Sequence, residues 1–267
     1  MTVPAGPEST CHEIYVLKYG EYVGTRGHYF YGTAKDPHEA PVPIDYYVWL
    51  LRGPSGDVVV DVGFRAESGT RRGRTHLREP AEGLAALGVD CATVEHVVLS
   101  HFHYDHIGDL SPFPAAHFVV QDREMAFWTG RYAARREFRV VVEAEDVVEV
   151  VRANFARRVR WVDGDAEVVP GVSVHHVGGH TPGMQVVRVD TARGTVVLAI
   201  DAAHFYANLD GDAPFATLHD LAGMYGAFDR LHELAGRDGL IVPGHDPAVL
   251  ERFDAVAGLE GIAARIA

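Results

Sequence analysis

Six consecutive residues limit this chain's options more than any other feature: His101-Phe102-His103-Tyr104-Asp105-His106, set directly after the β-branched run 96–100 and before Ile107-Gly108. Three imidazoles and a carboxylate in so short a stretch are improbable by chance, even with 16 histidines in 267 residues. Imidazole nitrogen and carboxylate oxygen together suit zinc and other borderline divalent ions. The i, i+2 spacing of His101 and His103 lets two side chains on an extended turn converge on one ion, while Asp105 and His106 face a second. Two ions need more than four donors. His180, Asp201 and His245 each follow a short apolar run, so separate strands deliver them at their carboxyl ends. The chain must therefore fold into a rigid scaffold that gathers several strand ends into one cleft.

The rest of the sequence is consistent with such a scaffold. Strand-like runs lie at residues 14–19, 46–51, 58–62, 96–100, 118–121, 172–177, 185–189, 195–200 and 240–242. Helical periodicity lies at 79–87 before Gly88, 122–128, 143–152, 217–234 before Gly236, and 247–253. Each half holds strands followed by helices, which predicts an α/β chain: two sheets face to face with helices outside, a four-layer αββα sandwich. No repeat appears, and the proline-bearing stretches 37–43 and 112–114 are too short for linkers, so residues 1–267 are expected to form one domain. No apolar run approaches the ~18 residues of a membrane span, and residues 1–10 lack a secretory pattern, which leads us to expect a cytoplasmic protein. Cys11 and Cys91 form no CxxC pair. A net charge of −13 disfavours nucleic acid and anionic membranes and points to a small-molecule partner. The arginines at 135, 136, 139, 157, 158 and 160 read as a solvated face or a subunit contact, which leaves room for a homodimer.

With these blocks in view, the sequence resembles the metallo-β-lactamase-fold hydrolase superfamily over nearly its whole length. The matching features are Asp61-Val62-Gly63, the HxHxDH block, Gly179-His180-Thr181-Pro182-Gly183, Asp201 closing a strand, and Pro243-Gly244-His245. The resemblance implies that His101, His103 and His180 hold one metal, that Asp105, His106 and His245 hold the other, and that Asp201 bridges them. Asp61 would fix a ligand rather than be one. It also implies a hydroxide held between two divalent ions as nucleophile, with Asp105 carrying the proton to the leaving group. Zinc is the default metal, with iron, manganese and cobalt as alternatives. No GxSxG nucleophile elbow is present.

Within that superfamily the details look most like the N-acyl-homoserine lactonases of quorum quenching, which open a lactone ring. The warrant is His-Phe-His-Tyr-Asp-His-x-Gly at 101–108, the segment around Pro41-Val42-Pro43-Ile44-Asp45-Tyr46, and Asp201-Ala202-Ala203. Tyr29-Phe30-Tyr31 is a candidate lining for an acyl groove. One position departs: those lactonases typically carry a substrate-contacting tyrosine three residues after the bridging aspartate, where this chain has His204, with Tyr206 two further on. His204 either donates to a developing oxyanion or packs and bonds a loop carbonyl. The expected activity is thus metal-dependent hydrolysis of a lactone, N-acyl-homoserine lactone or a relative. A thioesterase or another ester or cyclic-amide hydrolase of the same fold is the alternative, and a non-enzymatic metal binder ranks last. Thioesterases of the hydroxyacylglutathione type usually carry a basic C-terminal region, which residues 248–267 lack. His96, His117, His175, His176, His219 and His232 read as structural or exposed, and Met125, Phe127 and Trp128 as a helix face against the core.

Overall fold

The computed structural model describes residues 10–32 and 38–267. The segment read for a leader, 1–10, lies outside these except for Thr10, as does the first residue of the stretch 37–43. Two sheets form the centre. The first contains β1 (Glu13–Thr25), β2 (Pro41–Gly53), β3 (Gly56–Val60), β4 (Thr75–His76), β5 (His96–Val98), β6 (His117–Gln121) and β7 (Val159–Val162). The second contains β8 (Ala166–Val169), β9 (Val172–His176), β10 (Gln185–Thr191), β11 (Gly194–Ile200) and β12 (Leu240–Pro243), after which β13 (Asp254–Ala255) and β14 (Ala263–Arg265) return to the first. The first sheet runs β13-β14-β1-β2-β3-β5-β6-β7 with β4 alongside β1, and the second runs β12-β11-β10-β9-β8.

Successive residues of a strand face opposite sides, so a strand covered on both sides must be apolar throughout. In β2, Tyr47, Trp49 and Leu51 enter the core between the sheets, while Tyr46, Val48 and Leu50 enter the core on the other face. That outer core is completed by Leu84 from helix Pro80–Ala86 and by Val147, Val150 and Ala153 from helix Ala144–Phe155. Met224, Ala227, Phe228 and Leu231 of helix Leu221–Ala235 cover the second sheet. The architecture is the expected αββα sandwich, and among the described residues no helix is long and apolar enough to cross a membrane.

Strand direction positions the site. β3, β5 and β6 are mutually parallel, so Asp61, His101 and helix Asp122–Trp128 all leave the first sheet at one edge. β9 and β11 both run antiparallel to β10, and β12 runs parallel to β11, so His180, Asp201 and His245 leave the second sheet together.

All nine strand readings correspond to strands, with different bounds. β1 continues to Thr25 because a register shift between Lys18 and Gly20 hides its alternation. β5 stops at Val98, and the Ser100 N–H turns to the Asp61 carboxylate instead of a ladder. The helix expected from 217 starts at Leu221: Asp220 caps it by accepting from Ala222 N–H, while the His219 and Asp220 N–H groups bond the Gly179 carbonyl.

Candidate metal centre

All seven predicted donors converge at this edge, and each is buried. The Asp201 carboxylate divides its oxygens. Oδ2 lies 3.5 Å from His101 Nε2 and 3.2 Å from His180 Nε2, and His180 Nε2 is 3.0 Å from His103 Nδ1. Oδ1 lies 3.4 Å from His106 Nε2 and 2.9 Å from His245 Nε2. Asp105 Oδ2 closes the second group, 3.7 Å from His106 Nε2 and 3.9 Å from His245 Nε2.

The imidazoles are aimed by what holds their other nitrogen. His180 Nδ1 donates to the Thr217 carbonyl at 2.8 Å, and His245 Nδ1 to the Asp45 carbonyl at 2.7 Å. His106 Nδ1 lies 2.7 Å from Asp61 Oδ2. The Ser100 hydroxyl donates to Asp61 Oδ2 and sits 3.0 Å from His101 Nδ1, which makes it the acceptor for that N–H. In all four rings Nε2 is left pointing inward, as oxygen partners of metal-binding histidines commonly arrange. The Asp61 carboxylate, the expected fixing group, orients His106 directly and His101 by way of Ser100 through these contacts.

Backbone strain marks the same place. Asp61 (φ 62°) and Ile200 (φ 48°) occupy the left-handed region, which is uncommon for non-glycine residues and especially so for a β-branched one. The Ile200 carbonyl accepts from Gly244 N–H, and a Cβ at Gly244 would come within 2.5 Å of that carbonyl oxygen. Glycine there lets β11 and β12 present Asp201 and His245 side by side.

The donor set fits divalent ions. His101 Nε2 and His106 Nε2 are buried with no hydrogen-bond partner among the described residues, a state that polar atoms rarely tolerate. The spacings bracket the edge of about 3.3 Å expected for a tetrahedron with 2.0–2.1 Å metal–nitrogen bonds. Two groupings, His101/His103/His180/Asp201 and Asp105/His106/His245, each keep their donor atoms within 4.8 Å. Electrostatics agree. Burial pushes His101 and His103 well below the usual histidine range, so their lone pairs stay available. Burial also opposes charge on His106 and His245, yet the Asp201 and Asp105 carboxylates outweigh it and raise both. Burial acts to raise Asp201, but the surrounding imidazoles of His204, His245, His106 and His101 hold it well below the carboxylate range. Cations entering such a cluster displace protons.

His204 also reaches this cluster. Its Nε2 is 3.0 Å from Asp201 Oδ2, its ring stacks on Phe215 at a 3.4 Å centroid distance, and burial pushes its pKa down to about 3. It joins Asp201 and His245 in a third grouping within 4.8 Å. Tyr206 does not face the site: its ring lies under the Arg252 guanidinium, 3.7 Å away.

One buried residue escaped the sequence reading. Glu124 is 1% exposed and accepts four hydrogen bonds, from Phe102 N–H and Trp128 Nε1 on one oxygen and from Thr181 Oγ1 and Gly183 N–H on the other. It ties the HxHxDH loop to the loop carrying His180. A Cβ on Gly183 would fall 2.3 Å from the Glu124 backbone nitrogen, so only glycine permits this approach. Burial pushes the Glu124 carboxyl up, against the pull of these four donors.

A cavity of about 300 Å³ opens on the donors and is walled by Tyr22, Tyr29, Tyr46, Arg74 and Tyr104. A second groove, of about 380 Å³, meets it at His103 and His180 and is lined by Phe127, Trp128, Phe138, Val140 and Leu218. Trp128 is thus both core and wall, its ring 5.7 Å from His103, whereas Phe102 is wholly buried. Tyr29 and Tyr31 line these cavities, while Phe30 stacks on Phe205. His117, His219 and His232 are exposed and His96, His175 and His176 half-buried, as read.

Fold and donor set together define a class. Residues 42–245 match the metallo-beta-lactamase superfamily, and the chain belongs to it, which makes it a metal-dependent hydrolase. Among curated relatives, it is similar to the N-acyl homoserine lactonase AttM of Azorhizobium caulinodans, 30% identical over 248 residues that cover 83% of this chain and 88% of that one. An N-acyl homoserine lactonase of a Bacillus species is 28% identical over 222 residues, 76% of this chain and 82% of that one. Among solved structures, an N-acyl homoserine lactone hydrolase with N-hexanoyl-L-homoserine at its catalytic metal centre superposes with a TM-score of 0.76 at 22% identity, covering 93% of this chain and 99% of that one.

Proposed function

We propose that this chain opens a lactone ring, adding water across the ring ester to leave a hydroxy acid. The observation that carries the reading is the pair of donor groups sharing Asp201 at the floor of a small cavity; the named lactonase relatives support it. His101, His103 and His180 would hold one divalent ion, Asp105, His106 and His245 the other, and Asp201 both, with zinc the default metal. Ions bound there would supply Lewis-acid polarisation of the carbonyl and lower the pKa of attacking water. Asp105, a member of the second group, also lines the cavity, placed to take the proton of the water and deliver it to the ring oxygen as the C–O bond breaks. The Tyr46 and Tyr104 hydroxyls, 3.2 Å apart, edge the same space and orient the bound ester.

His204 we assign to holding Asp201. A neutral imidazole whose Nε2–H is given to the Asp201 carboxylate carries a lone pair on Nδ1, which leaves no N–H for an oxyanion. Replacing it with phenylalanine preserves the stack on Phe215 and removes the bond. Metal titration of His204→Phe should show about tenfold weaker binding; unchanged affinity would assign the ring to packing alone.

The activity test uses enzyme with its metal content measured, assayed on a lactone panel, a thioester and a bis-aryl phosphate. Two ions per chain and ring opening are expected. Turnover of the thioester or phosphate with lactones untouched would overturn the lactonase reading and leave the superfamily assignment standing.

A further inference from the structure

Most arginines around the site region have carboxylate partners. Arg65 meets Asp109, Asp146 and Glu149, while Arg71 and Arg72 both meet Glu143. Arg74, two residues on, meets no carboxylate among the described residues, although the chain holds 37 acidic side chains against 24 basic. Its guanidinium instead lines the cavity that contains the metal donors. It lies 3.8 Å over the Tyr22 ring, Nε donates to the Tyr104 hydroxyl at 3.3 Å, and Nη1 donates to the Arg72 carbonyl at 3.0 Å. Nη2 has no protein acceptor among the described residues.

A second group points the same way. Tyr29 lines this cavity too, and its buried hydroxyl has no hydrogen-bond partner among the described residues. Among the described residues, the cavity therefore offers a half-buried, permanent positive charge with an unused N–H and, elsewhere in its lining, an unused O–H, while the donor cluster opens on the same space. A charge drawn partly out of water without a counter-ion is costly, and a ligand carrying the opposite charge relieves that cost. The guanidinium fork matches the two oxygens of a carboxylate.

We propose that Arg74 and Tyr29 form a carboxylate-recognition subsite, and that the favoured lactone carries a carboxylate outside its scissile ester. This rests on the lactonase reading and narrows it, since it selects anionic rings over the neutral N-acyl homoserine lactones of the named relatives. The carboxylate would sit against the arginine wall and the ring ester over the metal donors.

The test compares two γ-butyrolactones differing only at the γ-substituent, carboxylate against carboxamide, on the metal-loaded enzyme. The expected result is a kcat/KM about tenfold to a hundredfold higher for the carboxylate, carried by KM. Arg74→Gln should bring that ratio near unity, and Arg74→Lys, a point charge without the fork, should restore part of it. Equal turnover of the two by the unaltered enzyme, or a ratio that Arg74→Gln leaves intact, would overturn the subsite while the lactonase reading stands. If neither ring opens, the lactone panel decides the lactonase reading, and calorimetric binding of the same two compounds decides the subsite. Carboxylate-selective binding lost in Arg74→Gln supports it; equal binding, or none, overturns it.

Discussion

Asp201→Asn should leave the protein with one bound ion per chain in place of two, and with roughly 10³- to 10⁴-fold lower kcat, the equivalent of several kcal/mol of lost charge stabilisation. The reasoning is geometric. Each oxygen of Asp201 serves a different donor group, Oδ2 facing His101 and His180 and Oδ1 facing His106 and His245. An amide keeps the volume but offers one oxygen; its N–H₂ cannot ligate a cation and, turned toward the imidazoles, would donate to the Nε2 lone pairs that an ion needs. Metal analysis alongside single-substrate kinetics reads both effects. A variant with two ions and a tenth or more of its activity would show that the bridging role is misassigned.

Glu124→Gln is expected to cost about 3–5 kcal/mol of stability, unusually severe for an isosteric change. All four contacts of Glu124 are donors, two on each oxygen. Whichever way a glutamine lies, its amide nitrogen faces two of them with hydrogens on both sides, and the donors of a buried loop are stranded. Because Phe102 lies between His101 and His103 and because Thr181 follows His180, the damage extends to the donors. A drop in metal affinity of about 10- to 100-fold should accompany the fall in the urea midpoint. Unchanged stability would mean that the loops are held elsewhere, with Gln185, which donates to the Leu99 and Val119 carbonyls, the next place to look.

Why the donors could be read from sequence and Glu124 could not is a matter of range. His101, His103, Asp105 and His106 announce themselves through local spacing, and His180, Asp201 and His245 through their position just past apolar runs, which marks them as candidates that the family resemblance then groups. Glu124 sits in the first turn of a short helix, where an acidic residue needs no explanation beyond the helix dipole; only the fold brings Thr181 and Gly183 to it. Arg74 was hidden in the same way, lost within the basic stretch 71–74, whose other arginines meet a glutamate. The offset of His204 from Asp201 was plain, but its orientation was not, since the face-to-face stack on Phe215 is a contact between distant segments. Strands β7 and β8 escaped because Arg160 and Glu167 interrupt short, edge-lying runs. Both end strands lie at a sheet margin, where one side needs no apolar cover.

The split origin of the donors has a mechanical consequence. His101 through His106 ride on the first sheet, while His180, Asp201 and His245 ride on the second. Cations held among them would rivet the two slabs at one rim, so any shear of one slab over the other would pull these donors apart. Two of the cavity walls, by contrast, stand on segments outside that joint, Arg74 beyond the helix Ala66–Arg71 and Tyr29 ahead of β2, whereas Tyr46 and Tyr104 ride on it. A lineage built on this plan is free to exchange the walls and alter what it accepts while the hinge-pin beneath stays unchanged.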